Sequence, residues 1–223
     1  MTFTSDAKEK SAMIWQKSFT HPFIRELHQG TLPEEKFRYY LLQDRYYLLQ
    51  LQELYRQIAE KTEHAKIRLF FEQGGKRLVA GEQAIRATLF QEMGIADDEI
   101  RQVPMAEVPY HYVSHMYRQL IYSPTVAFAS LLPCALLYQE IGLTLSQTGS
   151  PHPHYQTWID TCTTEESMAI VSEFQQLLNE CYEQASTAEQ QQMLEAFHIS
   201  TYMEYAFWEM AYQRKMWGED TYA

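Results

Sequence analysis

The sequence predicts an all-α protein built as one domain, and three observations predict it. Gly and Pro number only 8 each among 223 residues, too few turn-formers for a many-stranded β fold. Apolar residues recur at three- and four-residue steps over long stretches, and strand-like alternation survives nowhere over a useful length. The stretches are bounded by cap signals, with no internal repeat, low-complexity run or domain linker between them. A length about one and a half times that of a typical domain favours a single unit over residues 1–223.

Each helix has its own local reason. Thr4-Ser5-Asp6 can cap a first helix running toward Leu27, interrupted near Pro22. Thr31-Leu32-Pro33-Glu34 has capping-box spacing with a proline in the first turn. It opens a segment of roughly 33–60 in which Phe37, Tyr40, Leu41, Tyr47, Leu48, Leu51, Leu54 and Tyr55 keep the helical period. A third helix is expected from about 63 to Met93, stopped by Gly94. Gly74, Gly75 and Gly81 mark a break or a close helix crossing in its middle. Asp97 to Pro109 reads as a connector and Tyr110 to Tyr122 as a helix. Ser123-Pro124 starts an apolar helix expected to end at Gly142. Gly149-Ser150-Pro151 precedes a helix around His154 to Thr161, Thr163-Thr164-Glu165-Glu166 restarts the chain with a capping box, and Ala185-Ser186-Thr187 precedes a last helix over about 188–216.

Composition narrows the function classes. The net charge is −11, which argues against the phosphate backbone of nucleic acid as a partner. The N-terminus lacks a basic segment followed by an apolar core, so no secretory signal is expected. The most apolar window, Val126 to Tyr138, is 13 residues long, short of the ~20 that a membrane span needs. Cys134, Cys162 and Cys181 are widely spaced without a CxxC pair, consistent with reduced thiols and a cytoplasmic location. The unusual figure is the 14% of aromatic residues, with 16 Tyr.

Three polar side chains sit where the helical period is apolar. Glu204 shares a face with Phe207, Trp208 and Ala211. It is either a buried carboxylate with a raised pKa, able to shuttle a proton, or a stripe-edge glutamate reaching outward. Asp44 shares a face with Leu41, Tyr47, Leu48 and Leu51, as a structural acceptor or as an acceptor for a ligand. Cys134 follows Pro133 in an apolar helix, with Tyr138 one turn on; on pattern alone such a thiol reads as core. Cys162 and Cys181 read as ordinary semi-buried thiols. No metal site is expected. His111 and His115 lack the zincin glutamate between them, and Glu195 with His198 is a single copy of a half-motif that di-iron bundles use twice. His152 and His154 read as solvent-facing.

The ordered segments Gln43-Asp44-Arg45-Tyr46-Tyr47, Tyr112-Val113-Ser114-His115-Met116, Leu132-Pro133-Cys134, Tyr155-Gln156-Thr157-Trp158-Ile159-Asp160 and Tyr202 to Tyr212 resemble the TenA/thiaminase II family over nearly the whole chain. The resemblance implies a heme-oxygenase-like helical bundle without heme, a homotetramer, and no metal, nucleotide or organic cofactor. It implies cleavage of thiamine or hydrolytic deamination of aminomethylpyrimidine to hydroxymethylpyrimidine. By the same resemblance Cys134 is the nucleophile and Glu204 the acid/base. Asp44 accepts hydrogen bonds from the pyrimidine amino side, and Tyr47, Tyr112, Tyr138 and Phe207 line the ring pocket. Two departures bear on substrate choice: Cys162 stands where the family often has a ring-binding tyrosine, and Ala135-Leu136 replaces a bulky aromatic pair. A pyrimidine- or thiamine-binding protein with little catalysis is the alternative.

Overall fold

A computed structural model describes residues 2–218. Among them, ten α-helices and one π-helical turn follow each other without a β-strand: α1 Phe3–Phe19, α2 Pro22–Gln29, α3 Glu34–Lys61, α4 Ala65–Ile85, the π turn Arg86–Phe90, α5 Asp97–Gln102, α6 Glu107–Tyr122, α7 Pro124–Leu145, α8 Pro153–Thr161, α9 Glu165–Gln184 and α10 Thr187–Gln213.

The helix starts differ from expectation in instructive ways. Thr2, not Thr4 to Asp6, caps α1, forming a reciprocal box with Ser5. The chain breaks before His21, whose ring accepts from the Phe23 amide and caps α2. At α3 the capping-box spacing goes unused, because Pro33 itself is the N-cap and offers no side-chain acceptor. The third expected helix divides into α4 and the π turn, while Gly94 ends the region with a φ of 63°. Gly74 lies at a close crossing, since a Cβ there would meet the Tyr55 ring at 2.8 Å. The stretch read as a connector contains α5, and α6 starts three residues earlier than predicted, at Glu107, with Pro109 in its first turns. Thr164 caps α9 through the Ser167 amide.

Helix α7 is the axis of the bundle, packed against α10, α6, α9, α3 and α8. Every residue from Val126 to Pro133 is buried, followed by Leu136, Leu137, Ile141, Gly142 and Leu145. The helix runs on through Pro133 and past Gly142, so its 22 residues exceed the expected apolar window. It is long and apolar enough to cross a membrane, but 67% of its most apolar stretch is buried inside this protein. Gly142 is a contact point and not a stop: a Cβ would meet Cys162 Cβ at 2.6 Å, so α8's end can lie directly on α7. Around this axis α3, α6 and α10 pack against one another as well as against α7. Their shared interior is where the polar side chains of the apolar faces converge.

Candidate active site

Helix α3 contributes Tyr40, Asp44 and Tyr47, which share one face by their spacing. Helix α6 contributes Tyr112, α7 contributes Cys134 and Tyr138 one turn apart, and α10 contributes Glu204, Phe207 and Trp208. Gln43 fixes the relation of α3 to α6, donating from Nε2 to Pro104 O at 3.0 Å and accepting from the Ala106 amide at 2.8 Å. That amide belongs to the N-cap of α6, so one buried amide side chain sets where Tyr112 points.

All seven residues expected at the site come together. The Tyr112 hydroxyl donates to Glu204 Oε1 at 2.6 Å. The Tyr47 ring lies 5.0 Å from the Tyr112 ring and 6.4 Å from Phe207. The Tyr47 hydroxyl faces the Cys134 thiol, Tyr112 and Glu204, yet makes no hydrogen bond of good geometry and is closed off from solvent. On the other side Tyr138 packs 5.0 Å from Trp208 and 5.7 Å from Trp158. Glu204, Tyr47, Tyr112 and Phe207 are buried. Asp44, Cys134 and Tyr138 keep some accessible surface although protein surrounds them densely, as groups lining a cleft do.

Desolvation dominates the electrostatics. Burial pushes the Glu204 carboxyl up to about 8; the Tyr112 hydrogen bond works against this, and the nearby Asp44 charge adds to it. Burial pushes Asp44 up to about 7. The Cys134 thiol is raised well above its usual range by burial and then by the Glu204 charge, so it rests protonated. Two carboxyls with pKa values near neutrality, Glu204 also sensing the Asp44 charge, hold protons that can be exchanged at working pH. A protonated thiol beside them can lose its proton to one of them as it attacks.

Sequence reasoning had not assigned Tyr40, Trp158 and Trp208 a place in this wall. Tyr40 meets Tyr138 hydroxyl to hydroxyl at 3.1 Å and accepts from Trp158 Nε1 at 3.3 Å, while its ring stacks 5.6 Å from Trp208. The available signal was Tyr40 standing one turn before Asp44. Cys162 donates to Trp158 O at 3.4 Å, its thiol pushed up to about 12 by burial. Its position senses Asp44, so a small thiol occupies the side of the cleft where a ring was expected.

The histidines bond elsewhere. His111 sits 3.6 Å from Glu107, and His115 bonds to Ala196 O at 3.2 Å and to Gln119. Glu195 pairs with Lys10 at 3.0 Å and His198 with Ser11 at 3.1 Å, so neither metal half-motif converges. His152 and His154, expected to face solvent, are only 23% and 21% exposed in their side chains.

Fold and cleft together define a class: an all-α protein with a thiol, two carboxyls and several phenols facing one apolar cleft. The model of the TENA/THI-4/PQQC family matches residues 8–214, and the chain belongs to that family. It is 32% identical over 233 residues to the aminopyrimidine aminohydrolase of Bacillus subtilis (strain 168), covering 98% of this chain and 93% of that protein. It is 26% identical to the aminopyrimidine aminohydrolase of Halalkalibacterium halodurans, covering 98% and 99%. Among solved structures, a TenA homologue from P. horikoshii OT3 superposes with a TM-score of 0.85 at 25% identity, covering 95% of this chain and 99% of that one.

Proposed function

We infer that this chain is an aminopyrimidine aminohydrolase, a hydrolase of thiamine salvage and breakdown. It releases hydroxymethylpyrimidine from aminomethylpyrimidine, from thiamine, or from both. The full-length similarity to aminopyrimidine aminohydrolases supports the reaction class. The observation that carries the residue roles is the contact of Glu204 with Tyr112 at 2.6 Å beside a protonated Cys134 and a second raised carboxyl, Asp44.

In this proposal Asp44 accepts hydrogen bonds from the amino edge of the pyrimidine, and Tyr47, Tyr112, Tyr138 and Phe207 enclose the ring. Glu204 enters protonated and gives its proton to the ring, which makes the ring electrophilic. Its carboxylate then takes the Cys134 proton as sulfur bonds to a ring carbon. The same acid protonates the exocyclic amine, the C–N bond breaks and ammonia leaves. Water adds to the exocyclic carbon and returns a proton to Glu204. Finally the C–S bond breaks, and the thiolate recovers its proton from the ring. One hard displacement becomes two easier ones, and Glu204 and Cys134 both end protonated as they began.

The proposal takes residues 1–223 as one catalytic domain, acting as a cytoplasmic homotetramer on a small pyrimidine. Apolar side chains left exposed, such as Met13, Ile121 and Tyr122, support an assembly that covers them. The test is turnover of aminomethylpyrimidine and thiamine side by side by the purified protein, with Cys134→Ser as control. Release of hydroxymethylpyrimidine that depends on Cys134 supports the reading; tight binding without turnover would favour a pyrimidine-binding protein.

A further inference from the structure

Outside the cleft, the start of α8 meets the start of α3 through two imidazoles and a carboxylate. His152 is the N-cap of α8, His154 lies in its first turn, and Glu34 opens α3. His152 Nε2 stands 3.0 Å and His154 Nδ1 stands 3.9 Å from the same oxygen, Glu34 Oε1. The three atoms lie within 4.8 Å of one another. We propose that Glu34, His152 and His154 form a binding site for a first-row divalent cation of the zinc class, separate from the thiol chemistry.

The spacing suits such an ion. Imidazole nitrogen and carboxylate oxygen bind zinc at about 2.0–2.1 Å, which puts tetrahedral neighbours roughly 3.3–3.4 Å apart. The two observed nitrogen–oxygen separations, 3.0 and 3.9 Å, bracket that value. An ordinary ion pair accounts for less. His154 Nδ1 is sealed from solvent without a hydrogen bond, and 3.9 Å is too long to supply one. Two imidazoles and one carboxylate select zinc-class ions over calcium or magnesium, which prefer all-oxygen sets.

The ligands are also held in place. The His152 ring stacks on Tyr155 at 4.0 Å and 18°, and Tyr155 OH donates to Leu32 O at 2.6 Å. Gly30, with φ 71°, allows Pro151 to approach so closely that a Cβ there would meet Pro151 Cγ at 2.7 Å. This seats the chain just before His152. His154 Nε2 faces Glu92 Oε2 at 3.9 Å, an outer carboxylate of the kind that orients metal-bound imidazole. The bound ion clips α3 to α8, the two helices that meet again in the cleft wall where Trp158 donates to Tyr40.

The experiment uses the full chain stripped with a chelator and titrated with ZnCl₂ by calorimetry, with a thermal melt at each end point. The wild type is expected to bind one zinc per chain in the micromolar range and to melt higher when loaded. The Glu34→Gln and His154→Ala variants, both altered at partly exposed side chains, are each expected to weaken binding at least about 100-fold, more than loss of an outer partner costs. Co²⁺ substitution should give the strong visible bands of a four-coordinate site in the wild type only. Circular dichroism checks that each variant is folded. Absence of stoichiometric zinc binding by the wild type overturns the proposal, as does unchanged affinity in both folded variants.

Discussion

Replacing Tyr112 by Phe tests the proton chemistry most directly, because one hydroxyl is removed and the ring packing on Tyr47 at 5.0 Å stays. That hydroxyl donates to Glu204 at 2.6 Å and holds down a carboxyl that burial drives up to about 8. A hydrogen bond to a charged acceptor contributes about 1.5–3 kcal/mol and one to a neutral acceptor about 0.5–1.5. The ionised form of Glu204 therefore loses roughly 1–1.5 kcal/mol more than the protonated form. At 1.36 kcal/mol per pH unit this raises its pKa by about one unit, to roughly 9. If protonated Glu204 feeds the ring and the leaving amine, kcat/KM falls as pH rises through that pKa. The variant's alkaline limb should then lie about one unit above the wild type's, measured as hydroxymethylpyrimidine release across roughly pH 5 to 10. A limb that stays in place, or moves toward acid, would falsify the assignment of Glu204 as the acid.

The other predictions follow from the same geometry. Cys134→Ser should lower turnover of aminomethylpyrimidine by at least about 10³-fold, because the covalent route closes; near-wild-type rates would remove Cys134 as the nucleophile. Asp44→Ala removes a charged acceptor for the amino edge, so kcat/KM should fall by roughly 10- to 150-fold for a hydrogen bond of about 1.5–3 kcal/mol. An unchanged value would place Asp44 outside the binding site. Glu204→Gln should change the pH dependence of stability. The folded wild type holds the Glu204 proton up to about 8, whereas the unfolded chain releases it near the ordinary value, so wild-type stability is lost as pH rises through that window. The neutral amide lacks this loss, and urea melts should show the variant gaining about 2–4 kcal/mol on the wild type between pH 5 and 9, after allowance for coupling to Asp44. Gly142→Ala drives a Cβ to 2.6 Å from Cys162 Cβ and should cost about 1–3 kcal/mol of stability; a melt equal to the wild type's would show that α8 moves away freely.

Part of the candidate site is legible in the sequence. Asp44 and Glu204 stand out because each breaks an apolar helical face, and a polar group kept there needs a partner or a task; Cys134 reads as core on that pattern and stands out only through the family resemblance. What the pattern left undecided was which task. Glu204 reads equally as a stripe-edge residue reaching outward until Tyr112 is seen to meet it from another helix. Tyr40 and Trp158 look like ordinary core rings in the sequence, and their hydroxyl–indole contact joins residues 118 positions apart. The end of α7 was misjudged for a related reason. Glycine usually terminates a helix locally, and only the approach of Cys162 reveals that Gly142 is there to leave room.

The sequence by itself determined the all-α class, the approximate place of most helices and the two carboxyls, Asp44 and Glu204, that interrupt apolar faces. These follow from periodicity, caps and the cost of burying polar groups, all local along the chain, whereas the part proposed for Cys134 comes from the family resemblance. The tertiary structure alone decided that two carboxyls and a thiol share one low-dielectric cleft, since each pKa shift depends on burial by other helices. It also decided that His152 and His154, which look like loop residues bound for solvent, turn instead toward one oxygen of Glu34. Proximity across the chain is a product of packing, and no spacing within a single helix encodes it.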